Sequence, residues 1–253
     1  LSALAIEDLS LAAGDRVLVR EVSLSLERGQ VLGLVGASGG GKSLTVLAML
    51  GLLPPGLRQV AGCLRHAGRV LDAAGIAALR GRTVGLVQQS PRACFNPILT
   101  IGRHFTETLG RGAAPGRAAA LLAEVGLDDP TPLLRAYPFQ LSGGMLQRVM
   151  LALALARDPD FLLADEPTTE LDLVAQATML DLLERLATRR GLGVLLVTHD
   201  LSVVARLAGV VAVMQDGRIV EQSPAPDFFT GPSHPASRVL LRRHLALYGE
   251  ALP

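Results

Sequence analysis

Residues 36–43 read GASGGGKS, and no other stretch of the chain limits its fold so tightly. The loop follows VLGLV, a continuous apolar run the length of a strand buried on both faces, and it opens a helical stretch. Gly36, Gly41, Lys42 and Ser43 have the spacing G-x-x-x-x-G-K-[ST], with Ala37, Ser38, Gly39 and Gly40 inside the loop and Leu44 just beyond it. Glycines let successive backbone N–H groups turn inward on one anion, and the helix N-terminus adds partial positive charge. A nucleotide's phosphates are the expected ligand, with the Ser43 hydroxyl on Mg2+. With 27 glycines such spacing can arise by chance; the strand before and the helix after argue against that.

The lysine sharpens this reading, because Lys42 is the single lysine among 24 basic residues. An ammonium is a compact point charge on a thin stem that reaches between β- and γ-phosphates inside a tight loop, whereas guanidinium is a wide planar fork. A second apolar run, FLLADE, ends in Asp165 and Glu166, placing two carboxylates at the C-terminal edge of a strand, where α/β sheets hold ligands. Asp165 is expected to help hold Mg2+ and Glu166 to orient the attacking water. Taken alone, the acidic pair reads better as a cap for the next helix; beside a phosphate loop, that preference reverses and the chemical reading is preferred.

These runs, with GVLLVTHD, give an α/β core with a largely parallel sheet. Before it, alternating apolar residues (Leu4, Ile6; Val17, Val19; Val22, Leu24, Leu26) read as half-buried strands of an antiparallel sheet, turning at AAGD and ERGQ. Residues 93–157 carry no strand-like run and read as a helical lobe; Asp216-Gly217 between two apolar runs reads as a hairpin. The expected organisation is one domain over 1–230, with a core of 1–92 and 158–221, the helical lobe at 93–157, and a partly helical tail over 222–253.

Composition excludes several roles. With 253 residues, 49% of them hydrophobic, the chain buries a substantial core, and a net charge of +1 gives no footprint for nucleic acid. Two cysteines suit a reducing compartment, and Glu7 and Asp8 interrupt any export signal. No apolar run approaches the ~20 residues that cross a bilayer, so a membrane role is expected to be peripheral.

The stretch LSGGMLQR at 141–148 resembles the signature of ATP-binding cassette (ABC) ATPases, and the family's other landmarks follow in order. Gln89 in VQQSPRACFNP resembles the Q-loop glutamine, TTELD ending at Asp172 the D-loop, and His199 in VTHD the switch histidine. The resemblance implies an ABC ATPase core of the P-loop (RecA-like) class, with an antiparallel β subdomain and a helical signature subdomain. It also implies a dimer sandwiching two ATPs, each held by one phosphate loop and by the partner's Ser142, Gly143 and Gly144. Glu166, His199 and Gln89 would be catalytic, Gln89 joining Ser43 and Asp165 around Mg2+, and the segment 91–99 would receive a permease's coupling helix.

The stretches PRACFNP, YPFQLSGGMLQR, ADEPTTELD and VVARLAGVVAVMQDGRIVEQ, with the terminal HLALYG, resemble the oligopeptide and nickel importer branch. That likeness implies a peripheral ATPase at the cytoplasmic face of the membrane, working with permease subunits, a second ATPase (a copy or a related chain) and, indirectly, a periplasmic or surface binding protein. The cargo implied is nickel, with a peptide or another metal chelate as the alternative. A soluble ABC ATPase of DNA repair or ribosomes lacks here its coiled coil, second cassette or basic surface, and a small-molecule kinase would leave LSGG and His199 without roles.

Two features depart from the family pattern. No aromatic precedes Phe95 to stack on adenine, leaving Val17 or Arg16 to cover the base, and Thr169-Glu170 stand in the D-loop where small residues are usual. Cys63 and His66, at C-x-x-H spacing, are only two potential ligands, too few for a metal site, and are not expected to form one.

Overall fold

The computed structural model describes residues 3–110 and 112–248; the first two residues of the expected domain and the end of the expected tail lie outside the described residues. The strands among them are, in chain order, β1 (Ala3–Ala13), β2 (Arg16–Glu27), β3 (Val31–Val35), β4 (Leu57–His66), β5 (Arg69–Val70), β6 (Val84–Val87), β7 (Phe161–Asp165), β8 (Gly193–Val197), β9 (Val210–Gln215) and β10 (Arg218–Pro224).

Two sheets form. One is antiparallel in the order β2-β1-β4-β5; the other runs β10-β9-β3-β8-β7-β6. In the second sheet β3, β6, β7, β8 and β9 run parallel, and β10 adds an antiparallel edge through the Asp216-Gly217 hairpin. Both hairpin residues have positive φ (49° and 80°), the geometry that lets a two-residue turn follow the strand twist.

The apolar runs are explained by burial on both faces. Phe161 and Leu163 of β7, with Leu195 and Val197 of β8, face the antiparallel sheet and the helix Lys42–Met49. Their alternates, Leu162, Ala164, Val194 and Leu196, face the helical lobe and the helix Leu173–Arg190. The lobe, inserted between β6 and β7, carries its own apolar stripe (Ile101, Phe105, Leu121, Leu146, Val149), continuous with that second face. A third cluster joins β3 and β9 to the helix Leu201–Leu207 and to Leu241 of the terminal helix Pro235–Tyr248.

Three strands were not visible in the sequence pattern, β5 being only two residues long. In β4 half of the residues are exposed and only Leu64 is buried, so no apolar alternation marks it; its place comes from pairing with β1, Ala5 opposite Arg65. β6 is only four residues long, and its register, Val87 beside Ala164, places it at the sheet edge that leads into the helical lobe.

Candidate functional site

Parallel register brings the candidate residues to one edge. Leu34 pairs with Val197, Asp165 with Val197, and Val87 with Ala164, so the segments leaving β3, β8, β7 and β6 emerge together at the C-terminal ends of the strands. Those segments carry the loop 36–43, His199, Glu166 and Gln89.

The loop is a closed cradle. Lys42 is only 7% exposed, and its Nζ donates to the carbonyls of Gly36 at 2.9 Å and Ala37 at 3.0 Å, curling the chain around the ammonium. Burial pulls the Lys42 pKa down, while Glu166 and Asp165 pull the other way. Gly36 has φ 149°, and a Cβ there would sit 2.1 Å from the Met214 carbonyl oxygen; Gly41, with φ 101°, turns the chain into the helix Lys42–Met49. The hairpin clasps the loop from outside, with the Gly217 N–H donating to the Gly40 carbonyl at 3.2 Å. Val19 of β2 lies against Gly41, with Val17 partly buried and Arg16 exposed farther along the same strand.

Asp165 ends β7 near Ser43, whose hydroxyl favours the charged carboxylate. Burial raises the Asp165 pKa; Ser43 opposes that rise, Glu166 adds to it and Lys42 opposes it. The Oδ1 atom is buried with no hydrogen-bond partner among the described residues. A desolvated carboxylate oxygen without a donor, next to a hydroxyl at the mouth of a phosphate cradle, fits a hard divalent cation such as Mg2+. Gln89 stands exposed just past β6, with no hydrogen bond to Asp165 or Ser43 among the described residues.

Glu166 is held from several directions. Its backbone adopts φ 50°, its N–H donates to the Val197 carbonyl at 2.8 Å, its Oε1 lies 2.9 Å from His199 Nδ1, and its Oε2 accepts from the Thr169 hydroxyl at 2.7 Å. A positive φ at a non-glycine residue next to a reactive carboxylate is the kind of constraint found where geometry matters for chemistry.

Residues 141–144 and the loop ending at Asp172 lie side by side, Ala175 Cβ 3.7 Å from where a side chain on Gly144 would begin. Ser142 caps the helix Gly143–Ala154 by accepting from Met145 N at 3.2 Å, and Asp172 caps Leu173–Arg190 by accepting from Ala175 N at 2.8 Å. Among the described residues no hydrogen bond joins either turn to residues 36–43.

Two contacts were missed in the sequence. Gln147, 2% exposed on the helix Gly143–Ala154, donates from Nε2 to the Pro167 carbonyl at 2.9 Å, tying that helix to the segment just after Glu166. A polar residue on the buried side of an apolar helix was the signal available for it. Thr169 stood out only as an unusual residue, and its bond to Glu166 needed the tertiary structure. At Cys63 the thiol lies 3.8 Å from Glu7 Oε2, which Arg65 also pairs at 2.7 Å, and no cluster of three or more metal-ligating side chains occurs among the described residues.

Residues 19–169 match the family model for the ABC transporter. The chain belongs to the ABC transporter family. Three relatives are each named as a nickel import ATP-binding protein NikD. That of Rhodospirillum rubrum is 49% identical, covering 97% of this chain and 96% of the relative; that of Brucella abortus is 48% identical, covering 98% and 97%. That of Pseudomonas putida is 50% identical, covering 97% of each. An ATP-binding cassette solved as a dimer in a post-hydrolysis state with ADP and Pi superposes with a TM-score of 0.75 at 26% identity, covering 88% of this chain and 98% of that one. The cbiO1 subunit of Clostridium perfringens, with a TM-score of 0.78 at 23% identity over 96% of this chain and 94% of its own, shares the fold. This ABC chain is thus a nucleotide-binding ATPase subunit, and no helix among its described residues is long and apolar enough to cross a membrane.

Proposed function

We propose that this chain is the ATP-hydrolysing subunit of an import system that takes up nickel, as the ion or a chelate, through a membrane permease. The cargo rests on near full-length likeness to three nickel import ATP-binding proteins, and the engine on the Glu166–His199 contact of 2.9 Å beside Asp165, Ser43 and Lys42. In this reading the loop amides of Gly36 to Ser43 and Leu44 cradle the phosphates of ATP, and Lys42 exchanges its carbonyl partners for β- and γ-phosphate oxygens. Ser43, Asp165 and Gln89 would hold Mg2+, which would supply positive charge to offset that on the phosphate oxygens.

Glu166 orients the water and takes its proton, and His199 steadies the carboxylate and reaches the γ-phosphate. Ser142, Gly143 and Gly144 grip the ATP of a second ATPase subunit, with Asp172 beside them at the seam. Closure around two ATPs and reopening after hydrolysis would then drive the permease docked at residues 91–99. Cargo would reach that permease through a periplasmic or surface binding protein, with this subunit peripheral at the cytoplasmic face.

The test is uptake of radioactive nickel by vesicles carrying this chain, its permease and its partner ATPase, with a dipeptide in parallel. Glu166→Gln is expected to keep ATP binding and to lower turnover and nickel uptake by about 10²- to 10⁴-fold. Uptake of the dipeptide without nickel would move the cargo to peptides; undiminished turnover in Glu166→Gln would remove that residue from the chemistry.

A further inference from the structure

The loop between Glu166 and Asp172 carries a contact that the proposed mechanism does not use. We propose that Thr169 is a positioning residue for Glu166: its hydroxyl fixes one oxygen of the carboxylate while His199 fixes the other, so the base points correctly only while this loop keeps its place. The inference rests on Glu166 acting as the base.

The geometry is specific. The Thr169 hydroxyl donates to Glu166 Oε2 at 2.7 Å, a short charge-assisted bond, and the Thr169 N–H closes a turn onto the Glu166 carbonyl at 3.4 Å. His199 Nδ1 approaches the other oxygen at 2.9 Å. Two partners on two oxygens fix both the torsion and the tilt of the carboxylate plane; either alone would leave it free to swing about a single bond. Each oxygen keeps a second lone-pair direction, so the bond to Thr169 leaves room for the attacking water.

Exposure says when the contact matters. Glu166 is largely covered, with 13% of its side chain accessible, whereas Thr169 is exposed. In the separate chain water competes for that hydroxyl, which weakens its hold. A second subunit seated over the loop excludes the water, and the same bond strengthens in a less polar setting. Thr169 then links the arrival of the partner to the orientation of the base through one hydroxyl. No hydrogen bond joins Thr169 to residues 36–43 among the described residues, so its removal should act on turnover and leave binding alone.

The experiment is ATP hydrolysis by the assembled transporter in vesicles, with Thr169→Val, which keeps the β-branched shape without the hydroxyl, and Thr169→Ser, which keeps the hydroxyl. Thr169→Val is expected to lower kcat about tenfold with KM for ATP within about twofold, as for loss of an interaction that serves only the transition state. Thr169→Ser is expected to recover most of that loss. A Thr169→Val enzyme at wild-type kcat, a rise in KM alone, or a Thr169→Ser enzyme as slow as the valine variant would each overturn the proposal. Glu166→Gln run in parallel separates the two ideas: if it is inactive while Thr169→Val is normal, only the Thr169 proposal falls, whereas an active Glu166→Gln removes the base itself. In the Glu166→Gln background, adding Thr169→Val should lower kcat no further; an additional tenfold loss would show that Thr169 acts elsewhere.

Discussion

Two glycine-rich turns in this chain, both proposed to face phosphate, are built differently. At 36–43 the loop is finished: Lys42 is buried against its own backbone carbonyls, Gly36 is pressed on Met214, and a hairpin clasps Gly40. At 141–144 the turn is open. A Cβ on Gly143 would meet nothing within 4 Å, and Ser142 is occupied with capping its own helix. The first turn is preorganised to bind within one chain; the second offers a helix N-terminus and half of a binding surface. In the proposed function the first turn serves its own nucleotide and the second that of a partner, each chain supplying what the other lacks.

This comparison breaks most sharply at its glycines. Gly36→Ala forces a Cβ onto a backbone carbonyl and should destabilise the fold by about 3 kcal/mol, read as a lowered urea midpoint, whereas Gly143→Ala should leave that midpoint within about 0.5 kcal/mol and reduce only hydrolysis in the assembled dimer. Equal destabilisation by the two would end the distinction.

Lys42→Arg comes next. The guanidinium cannot occupy the space between the Gly36 and Ala37 carbonyls, and ATP affinity should fall on the order of 100-fold despite the retained charge. Titration of a fluorescent ATP analogue at wild-type affinity would show that the loop is less finished than it looks.

Ser142→Ala removes a helix cap worth about 1 kcal/mol, lowering the melting temperature by roughly 2–4 °C. Its effect on turnover should appear only when the partner is present; the same loss in the isolated chain would mean that Ser142 serves its own subunit.

The smallest effect concerns Asp165. Its carboxyl titrates above the unfolded value because burial opposes its charge. Between the two pKa values the native state holds the extra proton, so at neutral pH the ionised group works against folding, and that penalty fades as pH falls through the folded pKa. Asp165→Asn without nucleotide should therefore melt slightly higher than wild type at pH 7, the gap closing on acidification. A lower melting temperature at pH 7 would show that the charge is already compensated.

Much of the core was legible because burial on both faces leaves an unbroken apolar run. VLGLV, FLLAD and GVLLV became β3, β7 and β8, and GGMLQRVMLALA became a helix with its predicted N-terminus. β4 escaped because only one of its residues is buried and its partner, β1, lies more than forty positions away. Of the site, the residues that act through backbone amides or as single charged groups were marked by spacing alone. Gln147 and Thr169 were not, since each acts through one hydrogen bond to an atom that no sequence pattern places.

The sequence by itself determined the chemistry a phosphate would meet: a glycine loop opening a helix, one lysine inside it, and a carboxylate pair ending a strand. Those are local properties, set by the φ that glycine allows, the reach of an ammonium and the period of burial. The tertiary structure alone decided which atoms meet. Parallel register set four strand ends level, and that brought His199 to one oxygen of Glu166 across 33 residues of chain while Thr169 took the other. Hydrogen bonds act over about 3 Å, a precision that packing supplies and residue order does not.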